Sequence, residues 1–261
     1  RRLNQVHCVD VVPTFLGAHA IPPEYKGNTH GYAGLIVEDM IPRVCEKGLA
    51  EFCDVFCERG VFNLEQTRHI LTAGKNYGLK PKVHADEMST LGGAELASDI
   101  GAVSAEHLLF SSAEGIKSLA DKGVIAVLLP VAAFSLMIGR YADARLMIDS
   151  GVPVALGSDF NPGCWVENMQ LVIAFACHYM KLTSAEAITA ATINAAHAIN
   201  RANEAGSLEV GKKADVVVMD VPNHKFLGYR YGVNLVDKVV KNGRLVVDRE
   251  KPSGPVFIRE T

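Results

Sequence analysis

The sequence predicts an α/β fold in which helices cover a parallel sheet. From about residue 7 to residue 196, strand-like and helix-like segments alternate, and most strand-like segments are nearly continuous apolar runs. Such runs are typical of strands that are buried on both faces. Strand–helix units in succession predict a parallel architecture. The six strand candidates are residues 9–16, 52–57, 81–85, 102–107, 125–129 and 152–156.

Residues that favour helix ends mark the segments between these strands. Asn63 is a candidate N-cap, and Ser111 or Ser112 has the same role for a later helix. Thr183 and Glu186 have the spacing of a capping box ahead of an alanine-rich segment. The predicted helices are residues 64–77, 112–122, 140–150 and 187–198.

The pattern alone leaves two topologies open. An open doubly wound sheet and a (β/α)8 barrel both consist of successive strand–helix units. No Gly-x-Gly-x-x-Gly motif follows a strand candidate, which removes the usual support for a dinucleotide-binding sheet. The six predicted units are also fewer than the eight of a closed barrel.

The character of the sequence changes beyond Asn200. Residues 206–220 and 235–248 are β-rich, contain glycines at intervals and lack a helical period. The Asn242-Gly243 pair between two apolar runs is a strong signal for a hairpin turn. We therefore expect a barrel-type domain over residues 1–203 and a small β domain over residues 204–261.

Composition and charge favour a small-molecule partner. The chain has 261 residues and a formal net charge of −3, and its Lys and Arg residues are scattered, which argues against nucleic acid or an anionic membrane surface. No apolar run approaches the ~20 residues that span a bilayer. Six cysteines in a chain of this size do not make a disulfide scaffold, so we expect a reducing, cytoplasmic location.

Two consecutive strand candidates end in histidine. His84 closes one strand and is followed at once by Asp86 and Glu87, and His107 occupies the same place on the next strand. A lone histidine there would be read as a core residue bonded to a carbonyl group. A repeated histidine beside buried charge instead indicates a functional site, because the carboxyl ends of barrel strands carry the active site.

Asp159 and His19 also follow strand candidates. Asp159 could cap a helix, but the loop that follows it makes a metal-bound carboxylate the sharper interpretation. Such a site suits hydrolysis, because a metal lowers the pKa of bound water toward ~7 and a nearby base takes the proton. His19 precedes two prolines in a rigid loop, which suits a substrate-binding side chain, although a surface histidine is nearly as plausible.

Four stretches of the chain resemble imidazolonepropionases, which belong to the metal-dependent amidohydrolase superfamily. They are residues 14–25, 54–62, 84–96 and 155–163. The resemblance implies a (β/α)8 TIM barrel with a small β-sandwich appendage. It also implies hydrolysis of the cyclic amide of 4-imidazolone-5-propanoate to N-formimidoyl-L-glutamate in histidine degradation, with one zinc or iron ion and a possible homodimer.

The resemblance also implies roles for the residues at the strand ends. His84 and Asp159 would bind the metal, and Asp159 would transfer a proton. Glu87 would hold the ring and help to orient the water. His107 would polarise the substrate or stabilise the oxyanion.

Further residues would contact the substrate by the same resemblance. These are His19, Asn161 and Gly163, with Glu87 at the ring. Cys164 stands where relatives often have Ser or Thr, and this replacement would loosen one polar contact.

The sequence departs from the family in one large respect. The first barrel strand of the family supplies a His-x-His pair to the metal, and no such pair occurs here. A catalytic zinc site normally has three protein ligands. We therefore expect an incomplete copy of a longer enzyme, with about six of the strand–helix units. Two alternatives stay open: another amidohydrolase, such as an aminopyrimidine deaminase or a different cyclic-amide hydrolase, or a non-catalytic binding module if the chain is complete as given.

Overall fold

The computed structural model describes residues 2–250, and its main sheet has six parallel strands. Each strand pairs with the strand before it in the chain, in the order β1-β2-β3-β4-β5-β6. A doubly wound sheet would reverse its strand order at a switch point. The consecutive order is that of a TIM barrel, so the sheet is a partial barrel, as the resemblance implied. The strands are β1 Thr14–Ala18, β2 Phe52–Cys57, β3 Lys80–Ala85, β4 Ser104–His107, β5 Ile125–Leu128 and β6 Val154–Leu156.

Each strand of the main sheet is followed by at least one helix, and α4, α5, α8 and α11 contact the sheet directly. The helices are α1 Arg2–Val6, α2 Thr29–Leu35, α3 Ile41–Glu46, α4 Leu64–Asn76, α5 Gly93–Asp99, α6 Ala113–Lys122, α7 Pro130–Ser135, α8 Ala144–Asp149, α9 Met169–Tyr179, α10 Ser184–Thr189, α11 Ala195–Ala198 and α12 Phe226–Tyr229. A 3-10 turn covers Pro23–Tyr25, and π-helical turns at Ile36–Met40 and Ala190–Asn194 continue the helices on both sides of them. In residues 2–250, no helix has the length and apolar character needed to cross a membrane.

Two of the predicted helix starts agree with the structure, whereas the helix predicted over residues 140–150 begins only at Ala144, after the N-cap Asp143. Asn63 and Gln66 form a reciprocal capping box, and the Ser112 side chain accepts a hydrogen bond from the backbone N–H of Gly115. Thr183 and Glu186 form the second box, but the helix begins at Ser184 rather than at residue 187. Capping therefore explains where these helices begin.

The first predicted strand was placed too early in the chain. It was predicted over residues 9–16 and lies at Thr14–Ala18. Asn4 explains the difference, because its side chain binds both the N–H and the C=O of Val11. Those two groups are therefore engaged outside the sheet, and Pro13 has no N–H to donate to it.

A three-stranded antiparallel sheet, with the order β7-β8-β9, follows the barrel-type sheet. Its strands are β7 Val216–Met219, β8 Val236–Lys241 and β9 Arg244–Asp248. Asn242 and Gly243 join β8 to β9 with φ angles of 51° and 77°. Two successive positive φ angles are the requirement of a type I′ turn, so the predicted hairpin is confirmed.

Side chains of β2 and β3 alternate between two environments. Cys53 and Val55 are fully buried, and Cys53 lies beside Gly74 of α4, on the helix-covered face. The Asp54 side chain, on the opposite face, contacts His84 of the next strand. This alternation directs the polar side chains of successive strands toward the barrel interior.

Candidate metal centre and active site

Three imidazole rings meet at the carboxyl ends of the strands. The ring centroids of His84 and His107 are 5.2 Å apart, and those of His19 and His84 are 5.5 Å apart. Phe56, at the end of β2, stacks on His19 at 5.3 Å. His84, His107 and His19 therefore lie together at one end of the sheet.

The strand ends carry residues in the left-handed backbone conformation. Asp86, His107 and Asp159 have φ angles of 49°, 72° and 54°. This conformation costs ~1–2 kcal/mol for a residue with a Cβ, and such strain is found mostly at functional sites. At His107 it breaks the alternation of the strand. As a result Glu106 and His107 both reach the interior, where each contacts a side chain of β3.

Asp159 and Glu87 belong to the same cluster. Asp159 lies within electrostatic reach of His19, His84 and Glu87. The Oε1 atom of Glu87 is 3.5 Å from Nδ1 of His107, and both side chains are buried. Two carboxylates and three imidazoles therefore share one region of the open rim.

The environment shifts the pKa values of these groups in opposite directions. Burial lowers the pKa of His84, but the charge and hydrogen bond of Asp54 outweigh burial and raise the pKa to about 9. Burial and the neighbouring charge of His84 hold the pKa of His107 well below its usual value, and burial lowers that of His19. Burial raises the pKa of Glu87 to about 7. His107 is therefore a neutral hydrogen-bond donor near neutral pH, and Glu87 can exchange a proton there.

A layer of buried polar groups lies beneath the rim. The Nζ atom of Lys82 is 3.3 Å from Oε1 of Glu106 and 2.9 Å from Oγ of Ser104. The Oδ1 atom of Asp54 is 3.0 Å from Nδ1 of His84. Asp54, His84 and Glu106 have ligand atoms within 4.8 Å of one another, a spacing that could hold a metal ion.

Part of the bonding capacity of this layer is already engaged. Asp54 accepts hydrogen bonds from His84, and Oε1 of Glu106 is paired with Lys82, while the buried Oε2 atom of Glu106 has no hydrogen-bond partner among the described residues. The Nε2 atom of His84 has no such partner among the described residues. In the neutral ring, Nε2 has a lone pair, and the carboxylate of Asp159 lies nearby. An imidazole nitrogen and a carboxylate oxygen are ligands that suit zinc or iron.

The loop after Asp159 is held by its own hydrogen bonds. The side chain of Asn161 donates to the backbone oxygen of Asp159 and accepts from Gly163, both at 2.7 Å. Cys164 is buried, and its Sγ lies 3.6 Å from Oγ of Ser135 and from the backbone oxygen of Ser158. In this structure these residues form hydrogen bonds with other residues of the fold. Substrate contact by Asn161, Gly163 and Cys164 therefore stays a prediction.

Sequence reasoning missed the structural role of Asp86. Its carboxylate accepts hydrogen bonds from four backbone N–H groups at the start of α5 and from Ser111 on the next strand–helix loop. The carboxylate also sits at the positive end of the helix dipole. Asp86 therefore fixes the loop that carries Glu87. A usable signal was present, because an acidic residue precedes the Gly92-Gly93 pair that opens the helix.

Glu58 fixes the other side of the same loop. It is almost fully buried and accepts hydrogen bonds from the backbone N–H groups of Met88 and Ser89, and from the Ser89 hydroxyl group. Its position directly after β2 was the only sequence signal for this role. The loop that carries Glu87 is thus held by one buried carboxylate on each side.

The sequence matches the amidohydrolase family over residues 57–246. It is also similar to three curated imidazolonepropionases. The protein of Geobacillus sp. (strain WCH70) is 60% identical over 95% of this chain and 58% of its own length. That of Alkaliphilus metalliredigens is 54% identical over 95% of this chain and 59% of its own length. That of Shouchella clausii is 55% identical over 100% of this chain and 57% of its own length. The chain thus spans less than two thirds of each relative.

Solved structures with low sequence identity share the fold. An adenosine deaminase from Xanthomonas campestris with bound zinc has a TM-score of 0.68 and 18% identity, covering 93% of this chain and 62% of its own. An ochratoxinase from A. niger has a TM-score of 0.65 and 22% identity, covering 85% of this chain and 56% of its own. These likenesses support the architecture of the sheet.

Proposed function

The chain belongs to the amidohydrolase family, and on that premise we propose that its protein is an imidazolonepropionase. It would hydrolyse the cyclic amide of 4-imidazolone-5-propanoate to N-formimidoyl-L-glutamate, a step of histidine degradation. The identity of 54–60% to imidazolonepropionases supports this substrate. The observation that carries the chemistry is the meeting of His84, His107, Glu87 and Asp159 at one rim.

We propose that His84 and Asp159 hold one divalent or trivalent metal ion, zinc or iron. Asp54 is hydrogen-bonded to Nδ1 of His84, and Nε2 has no hydrogen-bond partner among the described residues. The carboxyl group of Asp159 lies nearby. A metal in this place acidifies water and polarises a carbonyl group. Further ligands would come from outside the described residues, as the missing His-x-His pair suggests.

Carboxyl groups of this chain carry out the proton transfers. Asp159 accepts a proton from the attacking water and returns it to the leaving nitrogen of the ring. Glu87 holds the ring and orients the water, and its raised pKa of about 7 allows it to donate a hydrogen bond near neutral pH. His107, neutral because its pKa is lowered, donates a hydrogen bond to the developing oxyanion.

The substrate tail would be bound at the loop after β6 and at the loop after β1. Asn161 and Gly163 present polar groups in a loop that is half-buried to exposed. His19 stacks on Phe56 beside His84 and can reach the same ligand. We assign the propanoate group to Asn161 and Gly163 and a ring contact to His19. Cys164, buried behind the loop, would shape it.

We also propose a cytoplasmic location and a homodimer. All six cysteines are unpaired, which supports a reducing compartment. The homodimer rests on the family resemblance alone, and light scattering of the purified protein would test it.

A substrate panel tests the proposed function. The full natural polypeptide that carries this sequence is loaded with zinc or iron and offered 4-imidazolone-5-propanoate, adenosine and an aminopyrimidine. We expect N-formimidoyl-L-glutamate from the first and no ammonia from the others. Asp159→Asn should lower kcat by at least ~100-fold, because it removes the proton acceptor, whereas Asp121→Asn on the exposed face of α6 should retain activity. Faster deamination than ring hydrolysis, or an active Asp159→Asn variant, would contradict the assignment.

A further inference from the structure

We propose that Asp54 is a positioning residue that holds the His84 imidazole with its Nε2 atom directed to the metal. This inference rests on the proposed function, since it assumes that His84 is a metal ligand. It assigns a role to a residue of the barrel interior that lies one strand away from His84, in the polar layer beneath the rim.

The contact geometry carries the inference. A single oxygen, Oδ1 of Asp54, lies 3.0 Å from Nδ1 of His84 and 3.3 Å from its backbone nitrogen. An ionised carboxylate has no proton to donate, so Nδ1 must carry the proton in this bond. In the neutral imidazole the other ring nitrogen, Nε2, then has the lone pair that a metal would bind in place of a proton. Two bonds to one oxygen fix both the backbone and the ring of His84.

The surroundings hold Asp54 in place. It is 5% exposed, and it lies on β2 directly opposite Lys82 in the register with β3. Lys82 is in turn bonded to Ser104 and Glu106 of β4. The ammonium group of Lys82 offsets the charge of Glu106. Asp54 is then the carboxylate that is hydrogen-bonded to His84. Asp54 therefore acts on the metal through the orientation and basicity of His84.

Metal affinity is the direct test. Asp54→Asn keeps the shape of the side chain and removes its charge. Glu106→Gln is the matched control, because Glu106 is buried in the same cluster but has no hydrogen bond to the His84 ring. Zinc affinity is measured on the full natural polypeptide by competition with a chromophoric chelator. We expect Asp54→Asn to bind zinc about 10–100-fold more weakly and Glu106→Gln to bind it nearly as tightly as the wild type.

Each outcome decides between this inference and its alternatives. Unchanged affinity in Asp54→Asn, or an equal loss in Glu106→Gln, would overturn the role of the Asp54 carboxylate. If Asp54→Asn does not fold, nitrogen NMR of the zinc-loaded wild type decides: zinc on Nε2 with a proton on Nδ1 of His84 supports the inference, and zinc on Nδ1 refutes it. A wild type that binds zinc and does not hydrolyse the imidazolone would refute the proposed function and leave the role of Asp54 intact. Absence of zinc binding in the wild type would refute both.

Discussion

His84 and His107 lie on neighbouring strands, with ring centroids 5.2 Å apart, yet they have opposite electrostatic character. The pKa of His84 is raised to about 9 despite burial, because of Asp54, whereas burial and the charge of His84 lower that of His107. The Asp54 carboxylate lies 3.0 Å from the His84 ring, whereas the carboxyl group nearest the His107 ring is that of Glu87, at 3.5 Å and with a pKa raised to about 7. On the proposed function, this difference separates a metal ligand from a neutral hydrogen-bond donor.

Substitution of the two histidines should therefore have different effects. We expect His84→Ala to abolish metal binding, since it removes a ligand. His107→Ala should retain the metal and lower kcat by roughly 100–1000-fold, the usual cost of removing an oxyanion donor. Metal analysis of the purified variants together with steady-state kinetics checks both. Loss of metal from His107→Ala would show that it is a ligand instead.

Asp86→Asn should destabilise the protein strongly. Asparagine tolerates the left-handed backbone at this position, so the change isolates the loss of the carboxylate. The Asp86 carboxylate now accepts hydrogen bonds from four N–H groups, whereas the side-chain amide of asparagine offers one acceptor oxygen. We therefore expect a loss on the order of 3 kcal/mol in the free energy of unfolding.

Asp143→Asn is the matched control, because Asp143 caps α8 through one hydrogen bond to Leu146. Its cost should stay within ~1 kcal/mol. Urea titration of both variants gives the comparison. Equal stability of the two variants would contradict the role of Asp86 as an anchor of the loop.

Gly93→Ala and Gly34→Ala should change stability in opposite directions. A Cβ atom on Gly93 would lie 2.9 Å from Cβ and 3.0 Å from Cα of Ala85, so α5 would have to move away from β3. Such overpacking costs ~1–3 kcal/mol. Gly34 lies within α2 with open space around it, and alanine there should stabilise the protein by ~0.5–1 kcal/mol. Thermal unfolding of the two variants tests the pair, and a stabilising Gly93→Ala would disprove the close approach.

Glu186→Gln should destabilise the protein in a pH-dependent manner. Hydrogen bonds from Arg145 and from the Thr183 backbone lower the pKa of Glu186 from 4.5 to about 2. A carboxylate with a lowered pKa in the folded state stabilises that state above the unfolded pKa, and the contribution is lost as the pH falls through the folded pKa.

The difference in Tm between wild type and Glu186→Gln should be constant near neutral pH, shrink below about pH 4.5 and disappear near pH 2. Glu114→Gln, in the first turn of α6 but outside a capping box, is the control and should show a smaller difference at pH 7. A Tm difference that does not depend on pH would rule out the charge of Glu186 as its cause.

The strand ends of this fold were predictable from the sequence. The bounds of β2 were correct, and His84 and His107 converge because parallel strands end at the same edge of a sheet. The Asn242-Gly243 hairpin was predicted from turn chemistry alone, and its φ angles agree. Sequence patterns were sufficient to predict features that depend on residues close together in the chain.

Contacts between distant segments were not predictable in the same way. Asp54 lies within an apolar strand, and the sequence does not say that its side chain meets His84 on the next strand. One of the five hydrogen bonds of Asp86 comes from a loop beyond the next strand, so its charge was taken as a sign of a functional site and its structural role was missed. The early placement of β1 has a different origin, because a contact over only seven residues, between Asn4 and Val11, left no pattern in the sequence.

The consecutive strand order also bears on how the chain folds. Each ladder of the main sheet joins strands that are neighbours along the chain, so β1 to β6 can pair one after another. On the proposed function, His84 on β3 and Asp159 beyond β6 come together only after β4 and β5 have docked. Refolding followed by amide exchange would then show a protected backbone before metal binding returns.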